Sequence, residues 1–125
     1  MISTHRELTT YQMAMELAMT IYRITEQFPA IEKYSLIDQI RRSSRSVCAN
    51  LAEAWRKRRY QAAFVAKLND AEGEASETQV WIELAEKCGY LSTERSRTID
   101  DEYELLIGKI VRMIEKSERF VLAKS

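Results

Sequence analysis

The segment that decides the fold covers residues 36 to 59 and reads Leu36-Ile37-Asp38-Gln39-Ile40-Arg41-Arg42-Ser43-Ser44-Arg45-Ser46-Val47-Cys48-Ala49-Asn50-Leu51-Ala52-Glu53-Ala54-Trp55-Arg56-Lys57-Arg58-Arg59. Apolar or small residues recur in it at alternating spacings of three and four: Ile37, Ile40, Ser44, Val47, Leu51 and Ala54. This spacing predicts a helix with one buried face. The seven basic residues of the segment lie off that face, so the helix also contributes a charged surface.

Three further segments show the same helical spacing. The first has Tyr11, Ala14, Ala18, Ile21, Thr25 and Phe28; the third has Phe64, Leu68, Ala71, Ala75, Thr78, Ile82 and Ala85; the fourth has Leu105, Leu106, Ile110, Met113, Ile114 and Val121. Pro29 should end the first helix, Ser35 cap the second, and Gly89 end the third. We therefore predict helices over about residues 9–28, 35–59, 61–88 and 92–120. They form one all-α domain, residues 1–125, as an up-and-down antiparallel four-helix bundle.

Composition narrows the class of protein. The chain has 46% hydrophobic and 30% charged residues and a formal net charge of zero, which is ordinary for a globular protein and gives no overall attraction to nucleic acid. Cys48 and Cys88 form no CxxC pair, and free thiols suit a reducing compartment. No run of about 18 apolar residues is present. We expect a cytoplasmic protein without a membrane segment.

Charge is divided between the second and third helices. Residues 32–60 carry eight basic and three acidic groups, whereas residues 61–91 carry two basic and six acidic groups. Either two solvated faces differ by chance, or the two helices pair by charge, within one chain or across a subunit interface that closes into an oligomeric ring. For the second reading the helical wheel selects Arg41, Arg45, Cys48, Ala52 and Trp55 on the second helix, with Glu72, Glu83 and Glu86 on the third.

Candidate chemistry is sparse. The only histidine is His5, so the Glu-x-x-His pairs of a bundle di-iron site cannot be formed. No phosphate-binding loop or nucleophile motif is present. We therefore predict no metal, no cofactor and no enzymatic activity. A polar ladder of Gln39, Ser43, Ser46 and Asn50 is interpreted as a hydrogen-bond network between helices around Asn50 and Glu53, with a ligand-binding strip as the alternative.

The end of the second helix carries the one candidate nucleic-acid site. Arg56, Lys57, Arg58, Arg59 and Tyr60 form a compact basic patch with an aromatic neighbour. Lys and Arg bind phosphates, and an aromatic ring can stack on a base. The alternative is a solubilising helix end whose cations complement the helix dipole.

Several short motifs together resemble a known family. They are Gln39, Arg41-Arg42, Ser46-Val47, Asn50-Leu51-Ala52-Glu53, Ala71-x-Gly73 with Glu77, and Gly89-Tyr90-Leu91, preceded by Phe28-Pro29 and Glu32-x-Tyr34-x-Leu36. In order and spacing they are similar to the four-helix-bundle proteins named for members encoded in intervening sequences of bacterial large-subunit ribosomal RNA genes. The accessory variability proteins of diversity-generating retroelements look like relatives. Ala54 and Glu74 stand where that family usually has Gly and Ser.

The resemblance implies a four-helix bundle assembled as a ring, commonly a pentamer, with a link to RNA or to a protein partner. Two functions stay open at this point. One is a homo-oligomeric structural or interaction module that associates with RNA. The other is a protein–protein scaffold or accessory subunit that binds no nucleic acid.

Overall fold

A computed structural model describes residues 2–122, and four helices account for most of them. They are α1 (Thr9–Thr25), α2 (Leu36–Arg56), α3 (Gln61–Lys87) and α4 (Thr93–Glu115). Short 3-10 turns lie at His5–Glu7, Ala30–Glu32 and Ser117–Arg119, and residues 2–122 contain no strand. Residues 1 and 123–125 of the predicted domain lie outside the described residues. Among residues 2–122, no helix combines the length and apolar character that a membrane crossing requires.

Contacts between helix ends fix the antiparallel order. The start of α3 meets the chain after α4, where Gln61 donates a hydrogen bond to Ser117 over 2.8 Å. The turn after α2 meets the same segment, because the Leu122 amide donates to the Arg58 carbonyl over 3.0 Å. At the opposite end, the Tyr90 hydroxyl donates to Glu32 over 2.8 Å. Consecutive helices pack together and α1 also packs on α4, so the four form a closed antiparallel bundle.

The core follows the predicted spacing closely in the two central helices. Every predicted core position of α2 and α3 is buried: Ile37, Ile40, Ser44, Val47, Leu51 and Ala54, then Phe64, Leu68, Ala71, Ala75, Thr78, Ile82 and Ala85. The prediction for α4 was partly wrong. Leu105 is 63% exposed, whereas Ile99 and Tyr103, which were not selected, are almost fully buried. Leu105 and Leu106 are adjacent apolar residues, and their own spacing does not show which of them faces the core. Ile99 and Tyr103 define the buried face of α4, and Leu106 lies on that face.

Helix ends differ from the predicted ends by several residues. α1 ends at Thr25, three residues before Phe28, α2 ends at Arg56 and α4 at Glu115. Each is followed by a turn rather than by more helix, and helix ends are weakly encoded because their last carbonyls can be satisfied in several ways. Gly89, by contrast, ends α3 as predicted: its φ of 80° is left-handed, and the next amide, of Tyr90, donates back to the Ala85 carbonyl over 2.9 Å.

Glu32 organises the start of α2 in place of the predicted cap. The side chain of Ser35 makes no capping bond; its hydroxyl donates to the Glu32 carboxylate over 2.6 Å. The amide of Leu36 donates to the same carboxylate over 3.4 Å. Hydrogen bonds from Ser35 and then from Tyr90 hold the pKa of Glu32 below its usual value. One carboxylate therefore ties the start of α2 to the end of α3.

Candidate nucleic-acid and subunit interfaces

The predicted basic patch lies on the turn between α2 and α3. Because α2 ends at Arg56, residues 57–60 lie outside the helix. Arg56, Lys57 and Arg59 are exposed, and the Tyr60 ring is 66% exposed. The three cations are thus available to phosphates, and Tyr60 presents a ring face beside them.

Arg58 differs from its neighbours. Its guanidinium lies 3.4 Å from the centre of the Trp55 ring, and its Nε donates to the Trp55 carbonyl over 2.7 Å. The side chain is half-buried, and desolvation first, then the charge of Arg56, lower its pKa. The geometry assigns Arg58 to the structure of the turn, whereas Arg56, Lys57 and Arg59 make no ion pair within residues 2–122.

The bundle brings further basic residues to the same end. The chain start, the α2–α3 turn and the end of α4 meet there. Together, residues 2–8, 56–60 and 109–122 contain nine basic and three acidic residues. The basic residues are Arg6, Arg56, Lys57, Arg58, Arg59, Lys109, Arg112, Lys116 and Arg119, and the acidic residues are Glu7, Glu115 and Glu118. We call this set the basic end. Desolvation, then the charges of Arg6 and Arg56, lower the pKa of His5, in line with this clustering. Sequence reasoning missed Arg6 and the α4 residues because they are distant along the chain.

The predicted interface residues of α2 separate into two groups. Arg41 is fixed by hydrogen bonds, to the Thr25 hydroxyl over 2.8 Å and to the Tyr22 carbonyl over 3.3 Å, and its guanidinium lies 4.7 Å from the centre of the Tyr22 ring. Arg45 is exposed and lies between α1 and the outer face of α2. Ala52 is half-buried in the same shallow groove. These three residues are therefore placed where a second chain could reach them.

Cys48 and Trp55 are more buried than the other predicted interface residues of α2. They are 7% and 6% exposed and belong to the core of the chain itself, and Cys48 also lines the α1–α2 groove with Arg45 and Ala52. The helical wheel placed them beside the buried face, but α1 closes over that flank. Burial raises the pKa of the Cys48 thiol to about 11, which leaves it protonated at neutral pH despite the nearby arginines. The only other cysteine, Cys88, is exposed.

The predicted acidic partners lie along α3. Glu83 is exposed and Glu86 half-buried, and both line a groove between α3 and α4. Glu72 is half-buried and does not line that groove. Two of the three predicted carboxylates, Glu83 and Glu86, therefore lie in one groove. Acidic residues of α4 also line this groove, and the sequence prediction did not include them because it compared only the second and third helices.

The predicted polar ladder does not form one network. Ser43 is fully buried and its hydroxyl pairs with that of Thr78 on α3 over 2.8 Å. Glu53 is exposed and pairs with Lys67 over 2.7 Å, not with an arginine of its own helix. Within residues 2–122, Gln39 and Asn50 make no hydrogen bond to the other two. The ladder therefore splits into separate contacts from α2 to α3.

These features define the class of protein: a small antiparallel four-helix bundle with basic residues gathered at one end and acidic residues in the groove between α3 and α4. Within the part of the chain that the structure describes, no group of three His, Cys, Asp or Glu side chains is placed to hold a metal ion. A family model described as 23S rRNA-intervening sequence protein matches residues 6–122. The chain belongs to this family, and the resemblance seen in the sequence is confirmed.

A solved structure supports the same assignment of fold. It is a protein with unknown function from the S23 ribosomal protein family of Bacteroides thetaiotaomicron VPI-5482, and it is 28% identical to this chain. The match has a TM-score of 0.77 and covers 85% of this chain and 98% of that one. No curated protein matches the chain.

Proposed function

We propose that the protein is a non-enzymatic interaction module of the cytosol that assembles as a homo-oligomeric ring, a pentamer, and associates with RNA through the basic end. One observation carries the proposal: three separate segments of a chain with zero net charge bring nine cations and three acids to one end. A local excess of cations is sufficient, because phosphate contacts act over about one Debye length, roughly 8–10 Å at physiological salt.

The basic end has the two components of single-strand binding. Arg56, Lys57 and Arg59 supply exposed charges, and Tyr60 supplies a stacking surface worth about 1–3 kcal/mol per base. A ring repeats this surface once per subunit. Contacts from several subunits to one RNA then add through avidity, so a modest patch becomes an effective one.

Fluorescence anisotropy with a labelled single-stranded RNA of mixed sequence tests the RNA association. Arg56→Ala combined with Arg59→Ala should weaken binding, because two exposed phosphate contacts are lost from each subunit. For single strands the slope of log K against log salt is about −0.7 per contact, so it should flatten by about 1.4 for each subunit that touches the probe. Tyr60→Ala should weaken binding without changing the slope.

A matched control replaces two exposed arginines at the other end of the bundle, Arg23→Ala with Arg95→Ala. This variant has the same net charge as the double variant of the basic end and should keep wild-type affinity and slope. Equal losses in both variants would show that binding follows net charge rather than the basic end, and wild-type affinity in both would reject the patch.

A protein–protein scaffold or accessory subunit that binds no RNA is the second candidate function. The observation that favours it is an exposed apolar strip on α1, where Met15, Met19 and Tyr22 are 39%, 44% and 38% exposed beside the α1–α2 groove. This function predicts no anisotropy change with RNA and capture of one defined partner. Met19→Glu should abolish that capture, because a charge would enter the apolar contact.

Native mass spectrometry tests the assembly. Five chains of 14.6 kDa give a pentamer of about 73 kDa. A mass of 14.6 kDa at micromolar concentration would reject the ring, and a different multiple would replace the pentamer.

A further inference from the structure

The groove between α3 and α4 is lined mainly by acidic side chains. It is lined by Gln79, Glu83 and Glu86 of α3 and by Asp100 and Glu104 of α4. Within residues 2–122, no Lys or Arg nitrogen lies within 4 Å of these four carboxylates, although Arg97 also lines the groove. Burial, then repulsion from Glu104 and other nearby carboxylates, raises the pKa of Asp100. Among residues 2–122, four carboxylates of the groove therefore outnumber its one arginine and form no ion pair.

A buried hydroxyl in the same groove lacks a partner. Ser96 is 5% exposed, and its Oγ makes no hydrogen bond within residues 2–122. Buried hydroxyls in folded proteins are almost always paired, so an unpaired one at the wall of a groove points to a polar ligand. Together, the carboxylates and Ser96 suit a group with several N–H donors, which is the chemistry of a guanidinium.

The complementary surface lies on α2. Arg41, Arg42 and Arg45 line a second groove on its outer side with Lys33 and Tyr34, and we call this set the arginine face. Arg45 makes no ion pair within residues 2–122, and Arg42 makes one, to Glu77 over 3.2 Å at an exposed site. Arg41 is already held in place by its contacts to α1. Exposed, pre-positioned arginines are typical of protein interfaces.

Apolar residues accompany the charges on both surfaces. Tyr34 is 86% exposed at the arginine face, while Val80 and Leu84 on α3 are 50% and 43% exposed near the acidic groove. Each surface thus combines apolar area with an excess of one charge, basic over Asp38 at the arginine face and acidic over Arg97 in the groove. Such complementarity orients two molecules as well as attracting them.

The two surfaces lie on different sides of the bundle, one formed by α2 next to α1 and the other by α3 and α4. A chain cannot bring its own arginine face to its own acidic groove, but it can bring it to that of a second copy. We propose that the arginine face of one copy docks in the acidic groove of the next, with Arg45 among the carboxylates. The inference rests on the proposed homo-oligomer and names the surfaces that join its subunits.

This contact is head-to-tail, because each copy uses two different surfaces. Every added copy presents the same free arginine face and free groove, so the series ends only when the last copy meets the first. A symmetric dimer through one surface alone would bring arginines against arginines. The charges therefore favour a closed ring over a two-fold pair.

Charge reversal tests the docking. Arg45→Glu and Glu83→Arg should each convert the oligomer to a 14.6 kDa monomer in native mass spectrometry, while far-UV circular dichroism shows unchanged helix content. The two substitutions in one chain restore opposite charges across the contact and should restore the oligomer. Arg23→Glu, an exposed arginine outside both surfaces, serves as the control and should leave the mass unchanged.

The outcomes separate this inference from the function on which it rests. A monomeric wild type would overturn the homo-oligomer itself. A wild-type oligomer that survives both single reversals would overturn only the docking surfaces. Single reversals that dissociate the oligomer without rescue in the double variant would show that Arg45 and Glu83 do not face each other, which also overturns the inference.

Discussion

Replacing Arg58 with alanine removes the side chain that holds the turn between α2 and α3. The guanidinium stacks on Trp55 at 3.4 Å and its Nε donates to the Trp55 carbonyl over 2.7 Å. A cation–π contact contributes about 0.5–2 kcal/mol, depending on burial. A hydrogen bond from a charged donor contributes about 1.5–3 kcal/mol. The cation–π contact and the hydrogen bond involve the same half-buried side chain, so their contributions do not simply add. We therefore expect Arg58→Ala to lower the free energy of unfolding by about 1–2 kcal/mol.

The change in melting temperature follows from chain length. An unfolding entropy of about 2.1 cal/mol/K per residue gives about 0.26 kcal/mol/K for 125 residues. Arg58→Ala should therefore lower Tm by about 4–8 °C in a thermal melt followed by circular dichroism. Arg58→Lys keeps the charge but loses the planar stack and should lie close to the alanine variant.

Arg59→Ala is the matched control, because Arg59 is the adjacent exposed arginine. It should change the free energy of unfolding by no more than about 0.5 kcal/mol. The effects on RNA affinity should show the opposite order: Arg59→Ala should weaken RNA binding more than Arg58→Ala does. If Arg58→Ala leaves Tm unchanged, or weakens RNA binding as much as Arg59→Ala does, the assignment of Arg58 to the turn is wrong.

Three further predictions concern burial and titration. At pH 8 a maleimide should label Cys88 quickly and Cys48 only on unfolding, because Cys48 is buried with a pKa of about 11; equal labelling rates would contradict this. Ser43→Ala should cost about 1 kcal/mol in urea unfolding, and a double-mutant cycle with Thr78→Val should show coupling, since the two hydroxyls pair in the core; additive effects would refute the pairing. The pKa of Glu32 is lower folded than unfolded, so its stabilisation is present above the unfolded pKa and lost as pH falls through the folded one. Stability of Glu32→Gln should therefore decline less from pH 5 to pH 3 than that of wild type, and parallel declines would contradict this.

Local periodicity was sufficient for the fold because the buried faces of α2 and α3 are nearly ideal stripes. Spacings that alternate between three and four residues place Val47 on the buried face of α2 and Ile82 on the buried face of α3. No glycine or proline interrupts α2. α4 was harder, since Leu105 and Leu106 both fit a stripe. The phase was decided by Tyr103, an aromatic residue that a purely aliphatic pattern passes over.

The candidate surfaces were less predictable because they depend on which helices pack together. A helical wheel shows the flank of α2 but not that α1 covers part of it, so it does not show that Cys48 and Trp55 are almost fully buried. Arg6 and Arg119 join the basic end only through the antiparallel order. That order was itself predicted, and projecting the charged residues onto it could have found the basic end from sequence.

The separation of the two arginine groups has a consequence for both proposals. Arg56 is the last residue of α2 and Arg59 follows it, whereas Arg41 and Arg45 lie three to four turns earlier, about 20 Å away along the helix axis. One molecule can therefore use the first pair for RNA and the second for a neighbouring subunit at the same time. Loss of the ring through Arg45→Glu would then weaken RNA binding by removing avidity, while the affinity of each single basic end stays the same. Zero net charge is thus compatible with RNA association, because four of the acids that balance it line the α3–α4 groove, away from the basic end.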